Sequence, residues 1–97
     1  MATFIYLMNL TDEGVKGISD APSRRAGAEK MIGDLGGELV GTWLTMGMYD
    51  RVLIVNFLQG DAAAKFAIGM GKKGFSRLTT LRGFDNDEAL ALINAAP

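Results

Sequence analysis

Two segments of the chain are apolar at almost every position, and this feature most limits how the chain can fold. Thr3–Leu10 and Arg51–Leu58 consist mainly of aliphatic, β-branched and aromatic residues, a composition typical of buried strands. Because successive side chains of a strand point to opposite faces of a sheet, both faces of each predicted strand are apolar. A sheet built from these strands needs cover on both faces.

Two helices are predicted between the strands. Asp20 is a candidate N-cap for the first helix, and Gly36-Gly37 is a typical C-terminal end for it. The second helix is predicted to begin with Asp61 as its cap and to fray near Gly71 or Gly74. Each helix falls between two strand-like segments.

Two further strands and a last helix complete the pattern. Strands are predicted at Leu39–Met46 and at Ser76–Phe84, and the latter is polar enough to be expected at an edge of the sheet. Asp85 and Glu88 have the spacing of a capping box, which predicts a C-terminal helix. The order is therefore β-α-β-β-α-β followed by a helix, the split βαβ arrangement of an α+β domain.

Two helices on one face of this sheet leave the opposite face open. A chain of 97 residues has no further element long enough to cover it. An exposed apolar sheet face is larger than a soluble monomer usually tolerates. We therefore expect a single domain of residues 1–97 whose main partner is a second copy of itself, in a homodimer or a higher even oligomer.

The composition excludes several kinds of chemistry. The chain has no cysteine and no histidine. This excludes disulfides, thiolate metal sites, cysteine nucleophiles and a Ser-His-Asp triad. Acid–base catalysis would depend on Asp, Glu, Lys, Arg or Tyr. The ordinary pKa values of these side chains are far from neutral pH, so burial would have to shift a pKa before any of them could act efficiently. We expect no metal site and no cofactor.

The charge pattern predicts neither a nucleic-acid partner nor a membrane partner. Net charge is −1, from ten basic and eleven acidic residues, so no strong field attracts polyanions. Lys72, Lys73, Arg77 and Arg82 form a modest basic cluster, which we interpret as a solvated edge. The apolar run Met1–Met8 lacks a basic flank and is too short for a signal sequence or a membrane span. A cytoplasmic protein is expected.

Several short motifs, in a characteristic order and spacing, extend over nearly the whole chain. They are Asn9–Gly14, Asp20–Arg24, Leu35–Gly37, Gly41–Gly47, Gly47-Met48-Tyr49-Asp50 and Thr80–Phe84. In these motifs the chain resembles the GYD domain family, a small bacterial family named for its glycine–tyrosine–aspartate turn. The resemblance implies a ferredoxin-like fold with a four-stranded antiparallel sheet, of the dimeric α+β barrel superfamily, in which two sheets close a shared barrel.

The turn and the strand that follows it contain the first candidate ligand-binding residues. Asp50 is a candidate anchor for a polar ligand group, with Tyr49 as a hydroxyl donor. The alternative is that Asp50 hydrogen-bonds nearby backbone or pairs with an arginine such as Arg24. Asn56 interrupts an apolar strand and shares a face with Asp50, so it either lines a cavity or is solvated near the strand end.

Three larger side chains are candidate walls of the same cavity. They are Tyr6, Met8 and Trp43, which would supply aromatic and thioether surface. Their alternative role is in the core or in a dimer interface.

Three functional hypotheses remain open. The first is an oligomeric module that binds a small, largely apolar molecule in a barrel cavity. The second is a cofactor-independent oxygenase or isomerase with Asp50 as its base, which follows the superfamily resemblance; such kinship transfers no activity by itself. The third is a purely structural assembly protein whose barrel is filled by side chains.

Overall fold

A computed structural model describes all 97 residues, as four strands and four helices joined by short turns. In chain order these are β1 Ala2–Leu10, α1 Asp12–Lys16, α2 Ala21–Asp34, β2 Glu38–Leu44, β3 Arg51–Phe57, α3 Gly60–Lys72, β4 Ser76–Gly83 and α4 Asn86–Ala95. A 3₁₀ turn at Ile18–Asp20 leads into α2. The predicted β-α-β-β-α-β order with a C-terminal helix is confirmed, and α1 is a short addition to it.

The four strands form one antiparallel sheet in the order β2-β3-β1-β4. The two apolar segments identified in the sequence, β1 and β3, are the central pair, and Tyr6 lies opposite Leu53 on one side and Thr80 on the other. β4 is at an edge, as its polar composition predicts. The expected ferredoxin-like α+β fold is therefore confirmed.

The core lies between the sheet and the helices α2 and α3. Tyr6, Val55, Phe57 and Phe66 are completely buried, and Ile32 of α2 is almost so. The rings of Tyr6 and Phe66 meet edge to face with their centroids 5.1 Å apart. Burying a large apolar side chain contributes ~1.5–3 kcal/mol, so this layer contributes most of the packing energy.

The helix ends follow the sequence signals in part. Asp85 and Glu88 form the predicted capping box of α4, and Gly36 has the positive φ of 76° that ends α2. Asp20 precedes α2 but makes no capping hydrogen bond with its side chain. α3 begins two residues earlier than predicted, so Gln59 is its N-cap and Asp61 lies in its first turn.

The second face of the sheet is open and apolar. Ile5 and Leu7 of β1 pair with Ile54 and Val52 of β3 on this face, and Trp43 of β2 lies beside Val52 with 51% of its surface exposed. α4 does not cover it, because no residue of α4 is buried and the helix makes only sparse contacts with the rest of the chain. We call this surface the open face.

Candidate functional site

The predicted ligand-binding residues lie on both sides of the sheet. Asn56 and Trp43 belong to the open face, because they are in register with Thr3 and Val52. Tyr6 and Met8 are buried on the opposite side, under the helices. The structure therefore does not bring the predicted set together around one space within a single chain.

The glycine–tyrosine–aspartate turn is tied to the backbone around it. The Asp50 carboxylate accepts a hydrogen bond from the Leu10 N–H at 2.8 Å, and the Asp50 N–H donates to the carbonyl of Met8 at 2.8 Å. The Thr45 hydroxyl donates to the Tyr49 carbonyl at 2.7 Å. The two Asp50 contacts hold the start of β3 against the end of β1, and the Thr45 contact ties the turn to the end of β2.

Two other polar candidates, Tyr6 and Asn56, have hydrogen-bond partners of their own. The Tyr6 hydroxyl donates to the carbonyl of Ala63 in α3 at 2.9 Å, and its burial raises the pKa of Tyr6 above the ordinary value. The Thr3 hydroxyl donates to Asn56 Oδ1 at 2.8 Å. Tyr6 therefore joins the sheet to a helix, whereas Asn56 remains at the open face.

A cavity of about 300 Å³ lies on the helix side of the sheet, beside α2 and the last turn of α3. This volume is at the lower end of the range found for small-molecule sites. Of the predicted residues, Met8 and Arg24 line it. Its apolar lining consists of Met8, Leu10, Ile18, Ala21, Ala28, Leu44, Leu53, Met70 and Phe75.

Arg24 is held in a fixed position at this cavity. Its guanidinium lies 3.8 Å from the centre of the Phe75 ring, a cation–π contact, and its Nη1 donates to the carbonyl of Gly14 at 3.2 Å. A Cβ on Gly17 would collide with the guanidinium, so a larger residue there would displace the Arg24 side chain. Arg24 thus pairs with an aromatic ring and backbone, and not with Asp50.

Three further cations line the cavity: Arg25, Arg51 and Lys73. Arg51 Nη2 donates to the Thr42 hydroxyl at 3.4 Å, across the β2–β3 pair. The Lys73 ammonium reaches from the end of α3 to α2, where it lies 3.3 Å from the position of a Cβ on Gly27. The lining contains no carboxylate.

Sequence reasoning did not identify this cluster, although one signal for part of it was present. Arg51 is two positions before Leu53 in β3, so both side chains point to the helix side of the sheet. Lys73 belongs to the basic cluster that the sequence predicts to be a solvated edge, and nothing local indicates that it meets α2. The approach of Arg24, Arg51 and Lys73 to one cavity depends on how two helices cross the sheet.

No group of three acidic side chains is placed to hold a metal ion. None of the helices has the length and apolar content needed to cross a membrane.

Comparison with known proteins adds one finding to this geometry. No curated protein and no solved structure matches the chain significantly. The family model of the GYD domain matches residues 4–93, from the third residue of β1 to the third-last residue of α4. The match includes the turn at Asp50, the cavity and the whole sheet. On the extent of this match, the chain belongs to the GYD domain family.

Proposed function

We propose that this GYD domain protein is a homodimeric module that binds a small, largely apolar molecule in the cavity between α2 and the sheet. The observation that carries the proposal is the cavity itself, about 300 Å³ with nine apolar lining residues. The space is a cleft partly open to solvent, within the size range of small-molecule sites and walled mainly by apolar side chains. An apolar ligand gains free energy by filling it.

The open face supports the homodimer. Ile5, Leu7, Val52 and Ile54 form a continuous apolar surface on the central strands, and no element of the chain covers it. A second copy placed on this face removes it from water and forms the shared barrel typical of the superfamily that the chain resembles. The cavity is on the other side of the sheet, so it stays accessible in such a dimer.

The catalytic alternative is less well supported by the same geometry. Asp50, the base that it requires, does not line the cavity, and its carboxylate is engaged by the Leu10 N–H. The four ionisable side chains in the lining are all cationic. A group that is protonated at neutral pH does not accept a proton, so binding fits this lining better than base catalysis does.

Methionine methyl groups offer a direct test of where a ligand binds. Met8 and Met70 line the cavity, whereas Met46 and Met48 are exposed outside it. The protein, labelled with ¹³C at its methionine methyls, is titrated with 2-naphthoate and separately with the neutral 2-naphthamide. We expect saturable shifts of the Met8 and Met70 signals with at least one probe, while the Met46 and Met48 signals stay constant.

Trp43, the single tryptophan, reports on the other side of the sheet. A ligand in a barrel interior at the open face changes its indole signal and leaves Met8 and Met70 unchanged. That result would move the binding site into the barrel. No saturable change at either reporter would contradict the binding function and favour the purely structural role.

The dimer is tested separately by sedimentation equilibrium. Ile54→Lys places a charge on the open face and is expected to shift the protein toward monomer. Ile68→Lys is the matched control, because Ile68 is exposed on α3, away from that face. A wild-type protein that sediments as a monomer would contradict the dimer proposal.

A further inference from the structure

The charge of the cavity lining differs from that of the whole chain. Four of the ten basic residues line the cavity, namely Arg24, Arg25, Arg51 and Lys73, and none of the eleven acidic residues does. The chain as a whole has a net charge of −1. The positive charge is therefore concentrated at this one concave surface, where low-dielectric walls strengthen its field.

None of these cations is neutralised by the protein. The two ion pairs of the chain are Lys30–Asp34 and Arg82–Glu88, and neither involves the cavity. Arg24 is stacked on Phe75, and the only side-chain partner of Arg51 is the neutral hydroxyl of Thr42. Like charges gathered around one space without a counterion repel each other, and a bound anion removes that repulsion.

The positions of the cations match a ligand with two different ends. Met8, Leu53 and Met70 supply the apolar floor of the cavity, on the sheet and on α3. Arg51 and Lys73 approach it from the strand end and from the helix end. Guanidinium and ammonium donors form their strongest hydrogen bonds with oxyanions such as carboxylates.

We infer that the ligand is an amphipathic organic anion, with a compact apolar body and one oxyanion group such as a carboxylate. This inference rests on the proposed binding function and names its ligand class. The apolar body packs on Met8, Leu53 and Met70, while the oxyanion accepts hydrogen bonds from Arg51 and Lys73. Arg24 stays on Phe75 and adds positive charge at the edge of the cavity.

The test compares the affinities of 2-naphthoate and 2-naphthamide, which share one ring system and differ in charge. Both affinities are read from the Met8 and Met70 methyl shifts. Because hydrogen bonds from guanidinium and ammonium groups to an anionic acceptor are stronger than those to a neutral one, we expect the carboxylate to bind at least about tenfold more tightly. Raising the salt concentration should lower the affinity for 2-naphthoate and leave the affinity for 2-naphthamide unchanged.

Two variants and a control connect this preference to the cavity. Arg51→Gln and Lys73→Gln each remove one cation, and each is expected to reduce the carboxylate preference severalfold. Arg77→Gln removes the same charge from an exposed position of β4 that does not line the cavity. It is expected to keep the wild-type preference. Two independent variants keep the test valid if one of them folds poorly.

Each other outcome has a definite meaning. Equal affinities for the two probes would overturn the anionic ligand class and leave the binding function intact. A preference reduced equally by Arg77→Gln would also overturn it, because general electrostatic attraction would then explain the result. Binding of neither probe would contradict the proposed function itself.

Discussion

The Asp50 carboxylate accepts a hydrogen bond from the backbone N–H of Leu10 at 2.8 Å, although the two residues are forty positions apart in the chain. The Asp50 N–H in turn donates to the Met8 carbonyl at 2.8 Å. Together these bonds fix the turn before β3 to the end of β1. Because Met8 and Leu10 also line the cavity, the turn supports the cavity wall without being part of it.

Replacing Asp50 therefore tests a structural role. Asp50→Ala leaves the Leu10 N–H without its partner, and we expect the free energy of unfolding to fall by about 1–3 kcal/mol. Asp50→Asn keeps an acceptor oxygen, so its free energy of unfolding should fall by less than that of Asp50→Ala. Urea denaturation at pH 7 measures both variants. Unchanged stability of Asp50→Ala combined with lost naphthoate binding would instead identify Asp50 as a ligand-binding residue.

The buried hydroxyl of Tyr6 predicts a loss of stability at high pH. Burial disfavours the ionised phenolate and raises the pKa of Tyr6 in the folded state. Above roughly pH 10 the unfolded tyrosine ionises while the folded one keeps its proton, so the free energy of unfolding falls by about 1.4 kcal/mol per pH unit. Below about pH 10 tyrosine is protonated in both states, so Tyr6 does not make the free energy of unfolding depend on pH there.

Tyr6→Phe separates this contribution from the other titrating groups. The variant should lose about 0.5–1.5 kcal/mol at pH 7, because the bond to the Ala63 carbonyl is gone. It should also show a shallower decline in urea-measured stability between pH 9 and about pH 11 than wild type. Tyr49→Phe, which retains Tyr6, serves as the control. Parallel profiles for wild type and Tyr6→Phe would refute the prediction.

Two glycine substitutions should have opposite signs. A Cβ on Gly14 would collide with the backbone carbonyl oxygen of Phe75, which also accepts the Thr11 N–H at 3.0 Å. Gly14→Ala is expected to destabilise the fold by about 1–3 kcal/mol. Gly33 lies in α2 with open space around it, so Gly33→Ala should stabilise by about 0.5–1 kcal/mol. Thermal unfolding of both variants provides the measurement, and shifts of the same sign would count against this steric account.

The helix α4 should depend on its cap. No residue of α4 is buried, and a ten-residue helix without packing is marginal in water. The Asp85 carboxylate accepts from the Glu88 N–H at 2.8 Å, so Asp85→Ala removes about 1 kcal/mol of capping. We expect a loss of circular dichroism at 222 nm with Asp85→Ala, and a smaller loss with Asp87→Ala. An unchanged spectrum would contradict the dependence of α4 on its cap.

Most of the fold could be predicted from the sequence, because its signals are local. Because successive side chains of a strand point to opposite faces, the sequences of β1 and β3 identify which residues share a face. The capping box at Asp85 identifies the start of α4. The absence of cysteine and histidine limited the possible chemistry at once. The two-sided apolar character of the central strands also predicted an open face, which the structure contains.

The candidate site could not be predicted in the same way. Alternation places Tyr6 and Met8 together, but does not say that this face meets α2 and α3 while Trp43 and Asn56 face away. Arg24, Arg51 and Lys73 come from α2, β3 and the residue after α3, and only the packing of these elements brings them to one cavity. Local sequence determines strand, helix and face, whereas the meeting of distant charges depends on how two helices cross the sheet, a property of the whole packed core.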